Sequence, residues 1–82
     1  MMKIQIVYCS TCHYTPQAVG LADDLLTNFE PEIESVSLVP SSGGRFEISV
    51  NGQLIFSKLQ TGRHPEPGEI NDLVKKFSRL KK

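Results

Sequence analysis

The sequence predicts an α/β (α+β) domain with element order β-α-β-β-β-α, in which helices pack on a four-stranded mixed sheet. Three observations predict it. An apolar run over residues 3–8 leads directly into the only two cysteines of the chain, which are spaced as Cys-x-x-Cys. Amphipathic helical stripes lie near residues 16–29 and 70–80. Between them, alternating apolar residues flank Asn51-Gly52, the dipeptide best suited to a two-residue hairpin turn.

Size and composition predict one domain spanning residues 1–82. The 82 residues are 39% hydrophobic, which is enough for one core. No run approaches the ~20 apolar residues of a membrane span, and the N-terminus lacks the apolar centre of a secretion signal. We therefore expect a cytoplasmic protein without membrane contacts. In that compartment a lone Cys-x-x-Cys is more often catalytic or metal-binding than a structural staple.

Charge is unevenly distributed although the net charge is zero. Residues 1–44 carry a net charge of −4 and residues 45–82 carry +4. The basic residues gather at the end of the last predicted helix, where they complement the helix dipole. Because no aromatic residues alternate with them, we predict no nucleic-acid binding. These cations are Lys75, Lys76, Arg79, Lys81 and Lys82.

The first half of the chain is predicted as strand, helix, strand. Residues 3–8 are short and rich in β-branched side chains, as is typical of a buried strand. Thr15 is the predicted N-cap of the helix, with Pro16 at its first position. Pro31 ends the helix, because the residue before a proline is pushed out of the helical region. The stripe predicted to face the sheet is Ala18, Ala22, Leu25, Leu26 and Phe29.

The second strand is predicted over residues 32–39, with Val36 and Leu38 on one face. A loop rich in serine and glycine follows over residues 40–44. In a parallel crossover this second strand lies beside the first.

The second half is predicted as a hairpin followed by a helix. Residues 46–50 alternate apolar and polar side chains, and residues 53–57 form the return strand. A polar loop is predicted over residues 58–68. The final helix is predicted to turn five apolar residues to the sheet: Ile70, Leu73, Val74, Phe77 and Leu80.

This topology predicts a site at one end of the sheet. The first strand should lie between the second strand, parallel to it, and the third, antiparallel to it. Its end then lies beside the loop before the third strand, and the fourth strand returns to the same end. The residues gathered there are the two cysteines, Ser42, Gly43, Gly44, Arg45, Lys58 and the loop that carries His64.

The pair Cys9 and Cys12 is predicted to be a redox dithiol. Strand, Cys-x-x-Cys, helix is the arrangement of a dithiol site in thioredoxin-like folds. We expect both sulfurs to meet in the first helical turn, where unpaired N–H groups and the helix dipole favour the reactive thiolate. A zinc site would need more ligands than two thiolates, and only His13 and His64 are further soft ligands. Because His13 directly follows Cys12, a tetrahedral cage would be hard to close. We therefore predict no metal and no other bound cofactor.

Several segments resemble the selenoprotein W-like family (the SelT/SelW/SelH or Rdx group) over nearly the whole chain. They are the Cys-x-x-Cys, the Ser-Ser-Gly-Gly-Arg-Phe-Glu-Ile of residues 41–48, Asn51-Gly52, and the Leu-Ile-Phe-Ser-Lys of residues 54–58 followed by Thr-Gly-Arg. The chain looks like a cysteine-containing bacterial-type member. The resemblance implies a thioredoxin-like fold and a thiol-based redox role, with glutathione as a candidate reductant. Where the family often has an aromatic residue before a proline, this chain has His64, a departure from the pattern.

The attacking cysteine is left open by these arguments. Helix-dipole logic and the thioredoxin analogy favour Cys9, expected to be the more exposed position. The family resemblance favours Cys12, because members with selenium carry selenocysteine there. We favour Cys12 on that ground.

The remaining candidate site residues would bind substrate or stabilise the thiolate. Ser10 and Thr11 lie between the cysteines. The backbone of Ser42, Gly43 and Gly44 is suited to an extended peptide. Arg45 and Lys58 could lower a thiolate pKa or bind a carboxylate of glutathione.

Two functions follow from this interpretation. The first is a small thiol–disulfide oxidoreductase in cell redox homeostasis, acting on a protein thiol or disulfide or on glutathione. The second is a redox-gated protein-binding module without catalytic turnover. In either case we expect a monomer or a weak homo-oligomer.

Overall fold

A four-stranded mixed sheet forms the centre of the computed structural model, which describes residues 1–77, and the strand order is β2-β1-β3-β4. β1 pairs parallel with β2 and antiparallel with β3, and β3 pairs antiparallel with β4. The predicted mixed sheet and element order are confirmed, with two additional short helical elements, a 3-10 helix over Glu30–Glu32 and a one-turn helix over Lys58–Thr61. The elements are β1 Met2–Cys9, α1 Thr15–Phe29, β2 Ile33–Ser41, β3 Phe46–Val50, β4 Gln53–Ser57, α2 Lys58–Thr61 and α3 Glu69–Lys75.

One face of the sheet carries the core, because alternate residues of a strand point to the same side. Lys3 and Gln5 of β1 are exposed on the opposite face. Burying an aliphatic or aromatic side chain stabilises the fold by about 1.5–3 kcal/mol, so this face supplies much of the stability. The buried strand residues on it include Ile4, Ile6, Tyr8, Phe46, Ile48, Val50 and Phe56, and the helices contribute Ala18, Leu25, Phe29, Ile70 and Val74.

Helix α1 begins one residue differently from the prediction. The carbonyl of Tyr14 accepts the N–H of Ala18 at 3.0 Å, so Tyr14 is the N-cap and Thr15 already lies inside the helix. The prediction that Thr15 caps the helix is therefore wrong, and no side chain makes the cap hydrogen bond. Pro16 still lies in the first turn, where its missing N–H has no intrahelical partner to lose.

The apolar stripe of α1 is narrower than predicted. Ala18, Leu25 and Phe29 are buried and Ala22 is half-buried, but Leu26 is 40% exposed. Successive helix residues are about 100° apart around the axis. Leu26 therefore turns away from the face that Leu25 presents to the sheet.

Strand β2 is longer than predicted and lies at an edge of the sheet. Pro40 and Ser41, assigned to a loop from the sequence, continue the strand and pair with Tyr8 and Cys9. A proline fits here because an edge strand leaves one row of N–H groups unpaired. Leu38 is 37% exposed, which reflects the same edge position.

The segment after β4 contains a helix that the predicted polar loop does not include. The side chain of Ser57 accepts the N–H of Gln60 at 3.2 Å and so caps α2. Gly62 ends α2 in the left-handed conformation, with φ 75°, that favours glycine. Helices of one turn leave no apolar periodicity in the sequence, which is why the pattern missed it.

Helix α3 anchors the end of the described chain to the sheet. Ile70 and Val74 are buried, and Leu73 and Phe77 are half-buried against the same core. The predicted contact of Leu80 lies outside the described residues. Within residues 1–77 no helix is long and apolar enough to cross a membrane.

Candidate redox site

Cys9 and Cys12 form a disulfide whose Cα atoms are 5.3 Å apart. Cys9 is the last residue of β1, and Cys12 lies in the turn that precedes α1. The prediction that the sulfurs meet in the first helical turn is therefore wrong. A helix extended back over Cys12 would need the N–H of Pro16 to donate to the Cys12 carbonyl, and proline has no N–H. The turn instead closes through His13, whose φ is 63°.

The two cysteines differ sharply in exposure. Cys9 is completely buried, whereas Cys12 is exposed. The expectation that Cys9 is the more exposed position is wrong: Cys9 ends a strand that has neighbours on both sides, Ser41 on one and Arg45 on the other. Its N–H donates to the carbonyl of Arg45 at 2.8 Å. Solvent therefore reaches residue Cys12, whereas it does not reach Cys9.

The residues between the cysteines connect the motif to its neighbours. The N–H and the hydroxyl of Ser10 both point at the carbonyl of Ser41, at 3.1 Å and 3.4 Å. The hydroxyl of Thr11 lies 3.4 Å from the sulfur of Cys9. A hydroxyl at that distance can donate to a Cys9 thiolate and stabilise it.

The loop between β2 and β3 lies beside the motif, as the topology predicted. Gly43 and Gly44 both have φ 74°, a left-handed conformation that side chains disfavour. The guanidinium of Arg45 donates to the carbonyl of Ser42 at 2.9 Å and to the hydroxyl of Ser41 at 3.4 Å. Arg45 therefore closes its own loop, and its predicted effect on a thiolate remains a prediction.

The side chain of Lys58 lies over an aromatic ring beside the motif. Its ammonium nitrogen lies 5.6 Å from the centroid of the Tyr14 ring, two residues beyond Cys12. A cation at that distance over a ring is attracted to the π face. The structure thus brings Lys58 to the end of the sheet that carries the dithiol, as predicted.

Glu47 and Ser57 join the hairpin to the start of α2, which begins at Lys58, and neither was among the predicted site residues. The two residues are register partners across β3 and β4. The Ser57 hydroxyl donates to Glu47 Oε1 at 2.6 Å, and the N–H of Leu59 donates to Glu47 Oε2 at 3.4 Å. A serine directly before a short polar segment is the sequence signal of an N-cap and could have revealed this pair.

His64 packs against two aromatic rings beside the motif. Its ring lies edge-on to Tyr14, with centroids 4.4 Å apart, and to Phe46, with centroids 5.0 Å apart. Its Nδ1 is buried without a hydrogen-bond partner among residues 1–77. Burial, and secondarily the charge of Lys58, lowers the pKa of His64 from its ordinary 6.5. The imidazole is therefore predominantly neutral at pH 7.

A bidentate ion pair holds the loop that carries His64. The guanidinium of Arg63 donates to both carboxylate oxygens of Glu69, at 2.8 Å and 3.1 Å, and also to the carbonyl of His64 at 3.0 Å. The N–H of Glu66 adds a further hydrogen bond of 2.9 Å to Glu69. Hydrogen bonds from Arg63 first, and from Glu66 next, lower the pKa of Glu69 to about 2.

Metal ligands do not converge in the part of the chain that the structure describes. Within residues 1–77, no group of three or more His, Cys, Asp or Glu side chains is placed to hold an ion. The chemistry available at this end of the sheet is that of the two sulfurs and the polar groups around them.

A Cys-x-x-Cys at the end of the central strand of a β2-β1-β3-β4 sheet defines a thioredoxin-like dithiol protein. The model of the Rdx family matches residues 3–76. The chain belongs to the Rdx family, as the sequence resemblance indicated.

Similar sequences and a similar solved structure agree with this assignment. The chain is 32% identical over 77 residues to migration and invasion enhancer 1 of Bos taurus, covering 94% of this chain and 65% of that protein. The chain thus spans slightly less than two thirds of the length of that curated relative. It is 36% identical over 58 residues to selenoprotein W of Danio rerio, covering 70% of this chain and 67% of that protein. The crystal structure of a selenoprotein W-related protein from Vibrio cholerae superimposes with a TM-score of 0.88 at 38% identity, covering 93% of this chain and 95% of that one.

Proposed function

We propose that this protein is a small thiol–disulfide oxidoreductase of the cytoplasm, with Cys12 as the attacking thiolate and Cys9 as the resolving thiol. One observation carries the proposal: the two cysteines form a disulfide in which Cys9 is buried and Cys12 is exposed. An attacking sulfur must reach a second molecule, whereas a resolving sulfur needs only to reach its partner. Membership of the Rdx family supports a redox role.

The reaction starts from the reduced dithiol. The Cys12 thiolate attacks one sulfur of a substrate disulfide, a new S–S bond forms, and the other substrate sulfur leaves as a thiolate that takes up a proton. The Cys9 thiolate then attacks the sulfur of Cys12, and the second substrate thiolate leaves. Two substrate thiols have been released, and the Cys9–Cys12 disulfide holds the two-electron oxidation. An external thiol such as glutathione resets the site by the reverse chemistry.

The surroundings supply the groups that this sequence of steps needs. The Thr11 hydroxyl is within hydrogen-bonding reach of Cys9, where the second step needs a thiolate. The loop of Ser42, Gly43 and Gly44 would bind the extended backbone of a protein substrate. Arg45 and Lys58 would favour the anionic thiolate or bind a carboxylate of glutathione. A lone Cys-x-x-Cys with these neighbours suits a reducing compartment, where thiols are available to reset it.

Turnover of a disulfide substrate tests the proposal. Reduced protein is mixed with a molar excess of 2-hydroxyethyl disulfide and of glutathione, and the 2-mercaptoethanol formed as glutathione is oxidised is measured by chromatography. We expect multiple turnovers by the wild type and none by Cys12→Ser. Cys9→Ser should accumulate a mixed disulfide visible by intact mass. The double variant Cys9→Ser/Cys12→Ser is the matched control for uncatalysed exchange, and a wild-type rate equal to this control would contradict the proposal.

A redox-gated binding module is the second candidate, and one contact favours it. Ser10, inside the disulfide turn, bonds directly to Ser41 at the start of the glycine loop. Opening the disulfide would therefore change both segments of the surface together. This function predicts partner capture by one redox state only, with no turnover of disulfides. Capture experiments with the Cys9→Ser variant, run beside the turnover assay, separate the two functions.

A further inference from the structure

A groove of about 280 Å³ runs between α1 and α3. Phe46 and His64 of its lining contact the ring of Tyr14, two residues beyond Cys12. The redox chemistry described above does not use the groove. It starts at the first turn of α1 and is closed on the other side by the loop that carries His64. Its lining includes Pro16, Gly20, Phe46, His64, Gly68 and Ile70.

Gly20 leaves this groove without a side chain at the middle of α1, although glycine lowers the stability of a helix. It lies in the middle of the 15-residue α1, where glycine is less favourable than alanine by about 1 kcal/mol. A Cβ added there would meet no atom within 4 Å. Packing inside the protein therefore does not require glycine at this position. Because Gly20 lines the groove, a long side chain at this position would take up space along it.

The groove is within reach of a chain attached to Cys12. Cys12 and Pro16 are four positions apart in the chain, so their Cα atoms are at most about 14 Å apart. Gly20 lies about 6 Å further along the helix. An extended peptide covers about 3.3 Å per residue. A residue about three to six positions from a cysteine bound to Cys12 would therefore lie at the groove.

The charge of the groove lining indicates which kind of side chain an occupant would carry there. Asp24 and Glu66 both line it. Within residues 1–77 neither forms an ion pair, whereas Glu69 is neutralised by Arg63. Arg63 partly offsets the charge of Glu66 as well, so the acidic side of the groove is that of Asp24. A cationic side chain on the occupant complements it there.

We propose that this groove binds the segment flanking the cysteine of a partner protein, through one apolar side chain followed by Lys or Arg. The inference rests on the proposed function, since the partner is the disulfide substrate that Cys12 attacks. The groove would make the protein selective among substrates. The chemistry at sulfur would be the same for all of them.

Two synthetic peptides test this selectivity, each carrying one cysteine in a mixed disulfide with thionitrobenzoate. One peptide has Phe-Lys five residues after the cysteine, and the other has Ser-Glu there. The ratio of the two rates of thionitrobenzoate release cancels any change in the reactivity of Cys12 itself. We expect the wild type to prefer the Phe-Lys peptide about tenfold, the effect of burying one large side chain.

The variant Gly20→Leu fills the groove and should reduce the ratio to near one. Leucine favours the helix more than glycine, so this variant is expected to fold, which circular dichroism checks. The matched control is Thr27→Leu, which adds the same side chain to an exposed site of α1 outside the groove lining and should keep the wild-type ratio. A wild-type ratio near one, or a ratio unchanged in Gly20→Leu, overturns the inference.

Failure of the proposed function is recognised separately. If the wild type releases no thionitrobenzoate from either peptide, the oxidoreductase function fails. The groove is then tested by fluorescence anisotropy with the same peptides carrying serine for cysteine, where the Phe-Lys peptide should bind the wild type more tightly than Gly20→Leu. Equal binding overturns the inference. A dimer in sedimentation experiments that Gly20→Leu dissociates also overturns it, because the occupant is then a second copy of the chain.

Discussion

The hydroxyl of Ser57 donates a 2.6 Å hydrogen bond to the carboxylate of Glu47 where β3 and β4 pair. The same oxygen accepts the N–H of Gln60, so one side chain joins the hairpin to α2. Ser57 is 4% exposed, which means that water cannot replace it readily. Through this contact the hairpin fixes the position of Lys58 over Tyr14, beside the dithiol.

Ser57→Ala should lower the free energy of unfolding by about 1–3 kcal/mol, since a half-buried carboxylate loses its donor and α2 loses its cap. Urea unfolding measures this change. Ser37→Ala, at an exposed position of β2, is the matched control and should stay within about 0.5 kcal/mol of the wild type. A Ser57→Ala variant as stable as the control would show that the hydrogen bond is not a significant connection.

The single cysteine variants should differ in reactivity towards iodoacetamide. In Cys9→Ser the exposed Cys12 remains, whereas in Cys12→Ser only the buried Cys9 remains. We expect Cys9→Ser to react about tenfold faster than Cys12→Ser, because the reacting thiolate must be accessible. Rates measured against pH at low and high salt also reveal any help from Arg45, which salt should weaken. A faster Cys12→Ser variant would assign the attack to Cys9.

Protonation of His64 should destabilise the fold. Its pKa is lowered in the folded state by burial, so the unfolded chain binds the proton more tightly. The contribution is fully present above the ordinary pKa of 6.5 and is lost as the pH falls through the folded-state value. Proton NMR should place the His64 midpoint below 6.5, and unfolding experiments in that pH range should show the loss. His64→Phe keeps an aromatic ring and should flatten the curve; a His64 midpoint at or above the ordinary value would be inconsistent with this account.

The Arg63–Glu69 pair should add a second, more acidic step to the loss of stability. Glu69 has a pKa of about 2 in the folded protein, below its ordinary 4.5. Its stabilising contribution is present above 4.5 and is lost as the pH falls towards 2. Thermal unfolding at about pH 5 and about pH 3 should therefore show a smaller decrease for Glu69→Gln than for the wild type. Glu30→Gln, at an exposed position, is the control. Equal decreases in thermal stability in both variants would show that the ion pair does not cause the loss.

Removal of metal ions should leave the fold intact. The two cysteines and two histidines do not suit a structural zinc site, because His13 directly follows Cys12 and a tetrahedral cage would be hard to close. Within residues 1–77 no three His, Cys, Asp or Glu side chains are placed to hold an ion. The thermal unfolding midpoint of the reduced protein should be the same with and without EDTA. A decrease that added zinc reverses would establish a metal site.

Much of the fold was predictable because it depends on local patterns. Alternation in residues 46–50 around the Asn51-Gly52 turn specifies a hairpin, and the confirmed register pairs Val50 with Gln53. The sequence-based predictions were wrong where the outcome depends on the position of a single residue. Leu26 belongs to the predicted stripe by its chemistry, but its angle around α1 exposes it. The short α2 depends on a cap from Ser57, which periodicity does not detect.

The sequence by itself determined the dithiol, the parallel crossover and the loops that meet at one end of the sheet, because spacing and strand order follow from local chemistry and chain connectivity. Only the tertiary structure decided which cysteine is buried. Exposure depends on the strands and loops that cover a residue, and Cys9 is covered by segments more than 30 positions away in the chain. The packing of His64 between Tyr14 and Phe46 was likewise decided by tertiary structure, since three distant segments meet there.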